Sequence, residues 1–343
     1  MLDHSNKKLR DVWVDNVKVV ACILVVLGHF FQSMAKAEII SRTILFYWFN
    51  NTIYYFHVPL FFICSGFLYQ KYSKVSSFES WKVNVVKKVV ALGVPYFVFS
   101  IITWILKNLF SSSVNKETGN LVDTLFVHPG APYWYLYVLF FLFVITLTTR
   151  TLKSQLVMLT LAGILKILNC IGVLASVEKI FLVDNVLANW FWFVFGMTLA
   201  YDLGKLCNRI VGITLFALFC FGSLFVQLRD IDNDIIGFLL GLTACYSLIS
   251  IVHTSFKDGV QNKYWQFFAT YTMPIFLMHT MFAAPFRSVL TKMGISNPAI
   301  HIVMGLVISF CGPIVAMIIL EKIKPLDFIV YPTRYLKIGK RGV

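Results

Sequence analysis

Charge is what this sequence has least of. Only 13% of its 343 residues are Asp, Glu, Lys or Arg, about half the roughly 25% of a soluble globular chain. That is too little to coat the one or two soluble domains this length allows, and 33 Phe cannot all be hidden in aqueous cores. The sequence also lacks a low-complexity tract and a repeat of 20 to 50 residues. Its seven cysteines include no CxxC pair. A disordered chain, a disulfide-stapled module and a repeat array are excluded together. The cysteines (22, 64, 170, 207, 220, 245 and 311) fall mostly in apolar runs and read as small buried hydrophobes.

What the sequence has is apolar length. Hydrophobic residues make up 58% and the mean hydropathy is +0.77. A spanning helix needs about 20 largely apolar residues. Ten segments qualify, at 17–35, 50–70, 85–107, 132–149, 155–174, 186–201, 209–227, 234–252, 265–285 and 299–320, the sixth being the shortest. The expected fold is an all-α polytopic membrane bundle of about ten helices. It forms one domain over 1–343, with a short tail from about 321.

The net charge of +14 is spread over short loops rather than gathered on one face. Nucleic-acid binding is therefore not expected. Counted on alternate sides, one set of loops holds 20 Lys and Arg, the other eight, and Lys18 and Lys166 remain within spans. This bias places both termini in the cytoplasm and the 108–131 loop outside. A cleaved signal peptide ending at Ala35-Lys36-Ala37 is the rival for the first span. Its long charged head and embedded His29 argue against it.

Ionisable residues within spans are functional candidates, because each costs a few kcal/mol. His29, His57 and His279 qualify. At 1.5 Å per residue, all three sit about 18–21 Å from the inner face. Singly, each reads as a bridge between helices; together they predict a shared polar chamber. No carboxylate or thiolate stands at that depth with ligand spacing, so no metal is expected. Asp15 and Lys18 can pair at i,i+3. Lys18 lies eleven residues from His29, about 16 Å along nearly the same helix face. As a bland alternative, Lys18 is an interfacial anchor. Lys166 is expected to pair with Asn169 or a headgroup. Tyr133, Trp134 and Tyr135 fit an interfacial aromatic belt, and DIDND at 230–234 lacks the rest of a calcium loop.

Three stretches carry a family resemblance. RDVWVDNVKVVACILVVLGH contains Asp15, Lys18 and His29. FHVPLFFICSGFLY contains His57, Pro59, Ser65 and Gly66. MPIFLMHTMF ends a leucine-x-histidine step at His279. With weaker agreement at 132–141 and 191–200, the chain resembles the integral-membrane acyltransferase-3 family, whose members O-acetylate bacterial cell-surface glycans. One departure is that an R-x-x-R pair before the third span is replaced by Lys82, Lys87 and Lys88. This keeps the charge but loses bidentate gripping of phosphate.

The resemblance implies an O-acetyltransferase of the bacterial cytoplasmic membrane, with acetyl-CoA as co-substrate and no tightly bound cofactor. On this reading His29 is the general base, with His57, His279 and Ser65 beside it; His279 or Ser65 would donate to the oxyanion. Lys18, Lys82, Lys87 and Lys88 hold the CoA phosphates, and Asp15, Gly66 and Trp134 support the site. The expected partners are a glycan or lipid-linked sugar acceptor, membrane lipids and a second copy of the chain in a homodimer. A transporter or flippase of a glycan intermediate would use the same chamber and is the alternative. A purely structural partner of a glycan synthase stands third.

Overall fold

The computed structural model describes residues 11–110, 119–177 and 179–336, and these contain helices and no strand. In hydrocarbon every backbone polar group must be satisfied within the chain, which selects helices. They are α1 (Val12–Lys36), α2 (Ile44–Tyr54), α3 (His57–Tyr72), α4 (Phe78–Lys88), α5 (Val94–Leu109), α6 (Trp134–Ile145), α7 (Leu152–Cys170), α8 (Phe181–Leu206), α9 (Arg209–Leu228), α10 (Asp234–Ser255), α11 (Lys263–Lys292) and α12 (Pro298–Lys322). Among the described residues nine candidate spans are long and apolar enough to cross a membrane, with α2–α3 and α4–α5 each forming one of them. Asn208, Asn233, Asn262 and Asn297 cap α9 to α12, each side chain accepting from a backbone N–H of the first turn.

The bundle is inside-out relative to a soluble one. Apolar residues on its outer helices face outward, with Ile210 76% and Phe221 73% exposed. Helix α1 is central, packing on α3, α10, α11 and α12. Helix α3 crosses α8 at backbone contact. A Cβ on Gly66 would collide with the carbonyl of Phe193, and one on Gly196 with the carbonyl of Ile63. Small residues at such crossings let helices associate through close packing, since lipid removes the hydrophobic drive.

Three spans depart from expectation. The second is broken at Tyr55 and Phe56. Pro59, lacking an N–H, cannot bond the carbonyl four residues back, so α3 restarts with Pro59 in its first turn. The sixth, expected to be the shortest, is helical from Phe181 to Leu206 with a kink at Asp202. The fourth is the short one: α6 has 12 residues, about 18 Å of rise against a ~30 Å core. Its continuation is irregular backbone tied by side chains. Tyr69 Oη donates to Thr146 O at 2.7 Å, Gln70 Nε2 to Thr149 O at 2.7 Å, and Trp81 Nε1 to Val144 O at 2.8 Å. Non-helical backbone is tolerated at such depth only when protein groups satisfy it.

The tail folds back rather than trailing. Pro274 deprives the carbonyl of Thr270 of its helical donor, and Tyr331 Oη donates to that oxygen at 3.0 Å. Residues 332–334 contact the π-helical turn Val89–Gly93 that joins α4 to α5, and Asp11 pairs with Lys71 at 2.7 Å. Both described ends of the chain therefore lie at one end of the bundle, as the charge bias requires. Arg287, counted from sequence among the outer loops, is instead buried in α11, where its guanidinium donates to the carbonyl and hydroxyl of Ser33.

Gly66→Ala is expected to lower the melting temperature of the purified protein by several degrees, as overpacking by one methyl costs about 1–3 kcal/mol. Ser65→Ala, one residue away, should not match it; equal melting temperatures for Gly66→Ala and wild type would disprove the tight crossing. Ser112, in the 108–131 loop expected to face outward, lies outside the described residues. Orientation is better tested at Ser41, in the α1–α2 turn, and Ser154. Cysteine at Ser41 should react with an impermeant thiol reagent in intact cells and cysteine at Ser154 should not; the reverse result would invert the bundle.

Candidate functional site

The candidate site is a cavity of about 410 Å³ near the end of the bundle opposite Asp11. His29 of α1 and His57 of α3 both line it, with Trp134 at the start of α6. His279 of α11 stands behind His29, their ring centroids 5.4 Å apart. The common depth expected for the three imidazoles is therefore a real juxtaposition.

Each position follows from local chain geometry. His57 is the first residue of α3 because the span breaks before it, and its Nδ1–H donates to Ile53 O across the break at 2.6 Å. His279 Nδ1–H donates to Ile275 O and Phe276 O, both at 3.0 Å. A carbonyl only accepts, so both rings carry a proton on Nδ1, and in the neutral imidazole Nε2 is the lone pair. His279 Nε2 is buried with no hydrogen-bond partner. His29 rides on an uninterrupted helix with Asp15 and Lys18 and is partly exposed to the cavity.

The cavity has a floor of three rings. Phe61, Tyr135 and Phe276 meet with centroids 5.5–5.8 Å apart. Behind this floor the Ser65 hydroxyl bonds Tyr135 Oη at 3.2 Å. Neither proposed oxyanion donor is therefore poised for that role. Ser65 does not line the cavity and is engaged by Tyr135, and the His279 N–H is spent on carbonyls. Gly66 acts through the α3–α8 crossing. Tyr133 and Tyr135 are buried rather than interfacial; Tyr133 Oη donates to Leu277 O at 3.0 Å.

Toward the other end, Lys18 acts electrostatically on Lys88 and on the Cys64 thiol, and Lys87 also acts on Lys88. The Lys88 ammonium sits 3.7 Å from the Phe143 ring centroid. Lys82 is occupied by Glu79 at 2.9 Å. The ion pair expected between Asp15 and Lys18 is not among those formed by the described residues, and Asp15 has other partners.

Sequence reasoning missed the cavity's remaining polar lining. Lys166, Asn169, Asn189 and Asp234 come from α7, α8 and α10. A lysine in mid-span was the available signal for Lys166. Its expected neighbour Asn169 is in the same wall of this cavity. Asp234 was singled out only within DIDND and weighed as a calcium ligand, and Asn189 gave no signal, because only the assembled bundle brings them beside α1.

A family profile described as an acyltransferase domain matches residues 11–318. No significant match was found among curated proteins or solved structures. The matched span includes all three imidazoles, the lysine cluster and the glycine crossing, and the chain belongs to the acyltransferase-3 family of membrane acyltransferases.

Proposed function

We propose that this acyltransferase transfers an acetyl group from cytoplasmic acetyl-CoA to a hydroxyl of a cell-surface glycan or its lipid-linked precursor, in the bacterial cytoplasmic membrane. The observation that carries the reading is one rigid helix with Lys18 toward the basic end and His29 in a polar cavity near the other. The helix spaces them by about 16 Å. A pantetheine arm of four to five residue-equivalents spans on the order of 15 Å. Lys18, Lys87 and Lys88 hold the phosphates while the thioester carbonyl approaches His29. Because the ring floor lies between, Phe61, Tyr135 and Phe276 must shift to admit the arm.

The acceptor hydroxyl attacks the thioester carbonyl as His29 takes its proton. The tetrahedral intermediate then expels the CoA sulfur, which takes the proton from the imidazolium. The products are an acetyl ester and CoA thiol. His279 Nε2, a buried lone pair beside His29, stabilises the imidazolium rather than the oxyanion. Lys166 is the cation lining the cavity and supplies charge for the oxyanion. His57 Nε2, Asn189 and Asp234 offer acceptors and donors to the sugar.

His29→Ala should reduce acetylation about 10²- to 10⁴-fold with the protein folded in the membrane. The readout is mass spectrometry of surface glycans from cells with and without the gene, and near wild-type acetylation would remove His29 from the chemistry. Lys18→Ala should raise KM for acetyl-CoA, having removed binding common to ground and transition states, while Lys18→Arg retains most activity. An alanine inserted after Val25 turns His29 by about 100° and should abolish transfer. An unchanged donor KM in Lys18→Ala, with a raised acceptor KM, would place the donor on the wrong side of the chamber.

A further inference from the structure

Beside the histidine cavity, at the same end of the bundle, two further cavities adjoin each other. The first, about 450 Å³, is a groove between α5 and α11 walled by apolar groups such as Leu106, Phe110, Met281 and Pro285, with Lys107 and Lys292 also lining it. The second, about 270 Å³, is polar and includes Ser100, Trp104, Asp123, Thr124, His128 and Tyr133. Thr103, Lys107 and Ala131 line both, so the two share a wall. Pro132, the next residue, lines the histidine cavity. One turn of chain separates all three spaces.

The polar cavity contains a buried group without a partner. Ser100 is 3% exposed and its hydroxyl makes no hydrogen bond. An unpaired buried hydroxyl is costly, and because the Ser100 oxygen has almost no surface open to the cavity, a ligand there satisfies it only once the side chain turns inward. Around it are groups suited to a sugar ring: the indole of Trp104, the hydroxyl of Thr124, and the Asp123 carboxylate, held by His128 at 2.8 Å. Ligand sites commonly combine an apolar wall with a few placed polar groups in this way.

We propose that these two cavities form the docking site of a lipid-linked saccharide. The isoprenoid chain lies in the α5–α11 groove, the diphosphate contacts Lys107 and Lys292, and the first sugar fills the polar cavity. Sugars further from the anchor then pass over Pro132 to His29. The acetylated hydroxyl therefore lies beyond the first sugar of the lipid-linked chain. This rests on the glycan-acceptor reading above and narrows it to an acceptor still attached to its lipid. An ordinary phospholipid would fill the groove and meet the lysines, but would leave the Ser100 cavity unused.

Equilibrium binding to the full-length protein in nanodiscs, without acetyl-CoA, tests the site. The probes are farnesyl-diphosphate-linked N-acetylglucosamine, farnesyl diphosphate and phosphatidylglycerol. The sugar-bearing probe is expected to bind about tenfold or more tightly than farnesyl diphosphate. Lys107→Gln with Lys292→Gln should weaken both diphosphates about tenfold. Ser100→Ala should erode only the increment due to the sugar. His29→Ala should bind as wild type does, so near wild-type transfer in that variant, with binding unchanged, counts against the catalytic reading and not this one. Equal affinity for the sugar-free probe, or for phosphatidylglycerol, overturns the proposal in favour of a structural lipid site. Binding indifferent to both lysines, in variants with wild-type melting temperature, overturns it as well, as does no binding of the sugar-bearing probe.

Discussion

The contact between α3 and α8 sets the position of nearly everything polar in this molecule. Gly66 and Gly196 bring backbone against backbone, so the two helices cross closer than any side chain would permit. In lipid such closeness replaces the hydrophobic drive, because association must come from packing and from contacts between polar groups. His57 lies nine residues from Gly66 on α3, and Asn189 and Trp192 lie seven and four residues from Gly196 on α8. All three line the histidine cavity. Spreading the crossing by one methyl would open the cavity wall and loosen Ser65 from Tyr135 behind its floor.

Around that crossing, interruptions in helices become binding geometry. A proline removes a donor, and the freed or strained backbone is answered by a nearby side chain. Tyr331 answers Thr270 below Pro274, and the irregular stretch after α6 is held by Tyr69 and Gln70. His57 and His279 each spend their one N–H on carbonyls of their own segment. That fixes ring orientation and leaves a lone pair aimed inward. The imidazoles are thus structural ties first, and their chemical capacity follows from which nitrogen remains.

Much of this was legible in the chain. Apolar runs located nine of the ten spans closely, and three histidines at one estimated depth did converge. The failures share a physical cause. Hydropathy measures length and apolarity, so it could not register that Pro59 would break the second span or that α6 would end at Ile145. Loop counting placed Arg287 outside because it lies past an apolar run; the carbonyl of Ser33 on α1, 254 residues away in sequence, makes its burial tolerable. Ser65 was assigned from its motif to a donor role, whereas its hydroxyl is engaged by a tyrosine from another helix. Pairings across helices are properties of the assembled bundle and leave no trace in the periodicity of one segment.

The ring floor gives the proposed reaction a physical logic. A thioester held in open contact with water and an imidazole base invites hydrolysis. Phe61, Tyr135 and Phe276 close the histidine cavity on the side from which the donor arm must come, and excluding water from such a site both suppresses side reactions and strengthens its electrostatics. Tyr135 is also hydrogen-bonded to Ser65, one residue from the Gly66 crossing. Movement of that ring therefore needs either a broken hydrogen bond or a shift of α3, and α3 also carries His57. Where the hydrogen bond holds, opening the floor moves α3 and with it His57, so in the proposed reaction admission of the donor arm would also shift that imidazole.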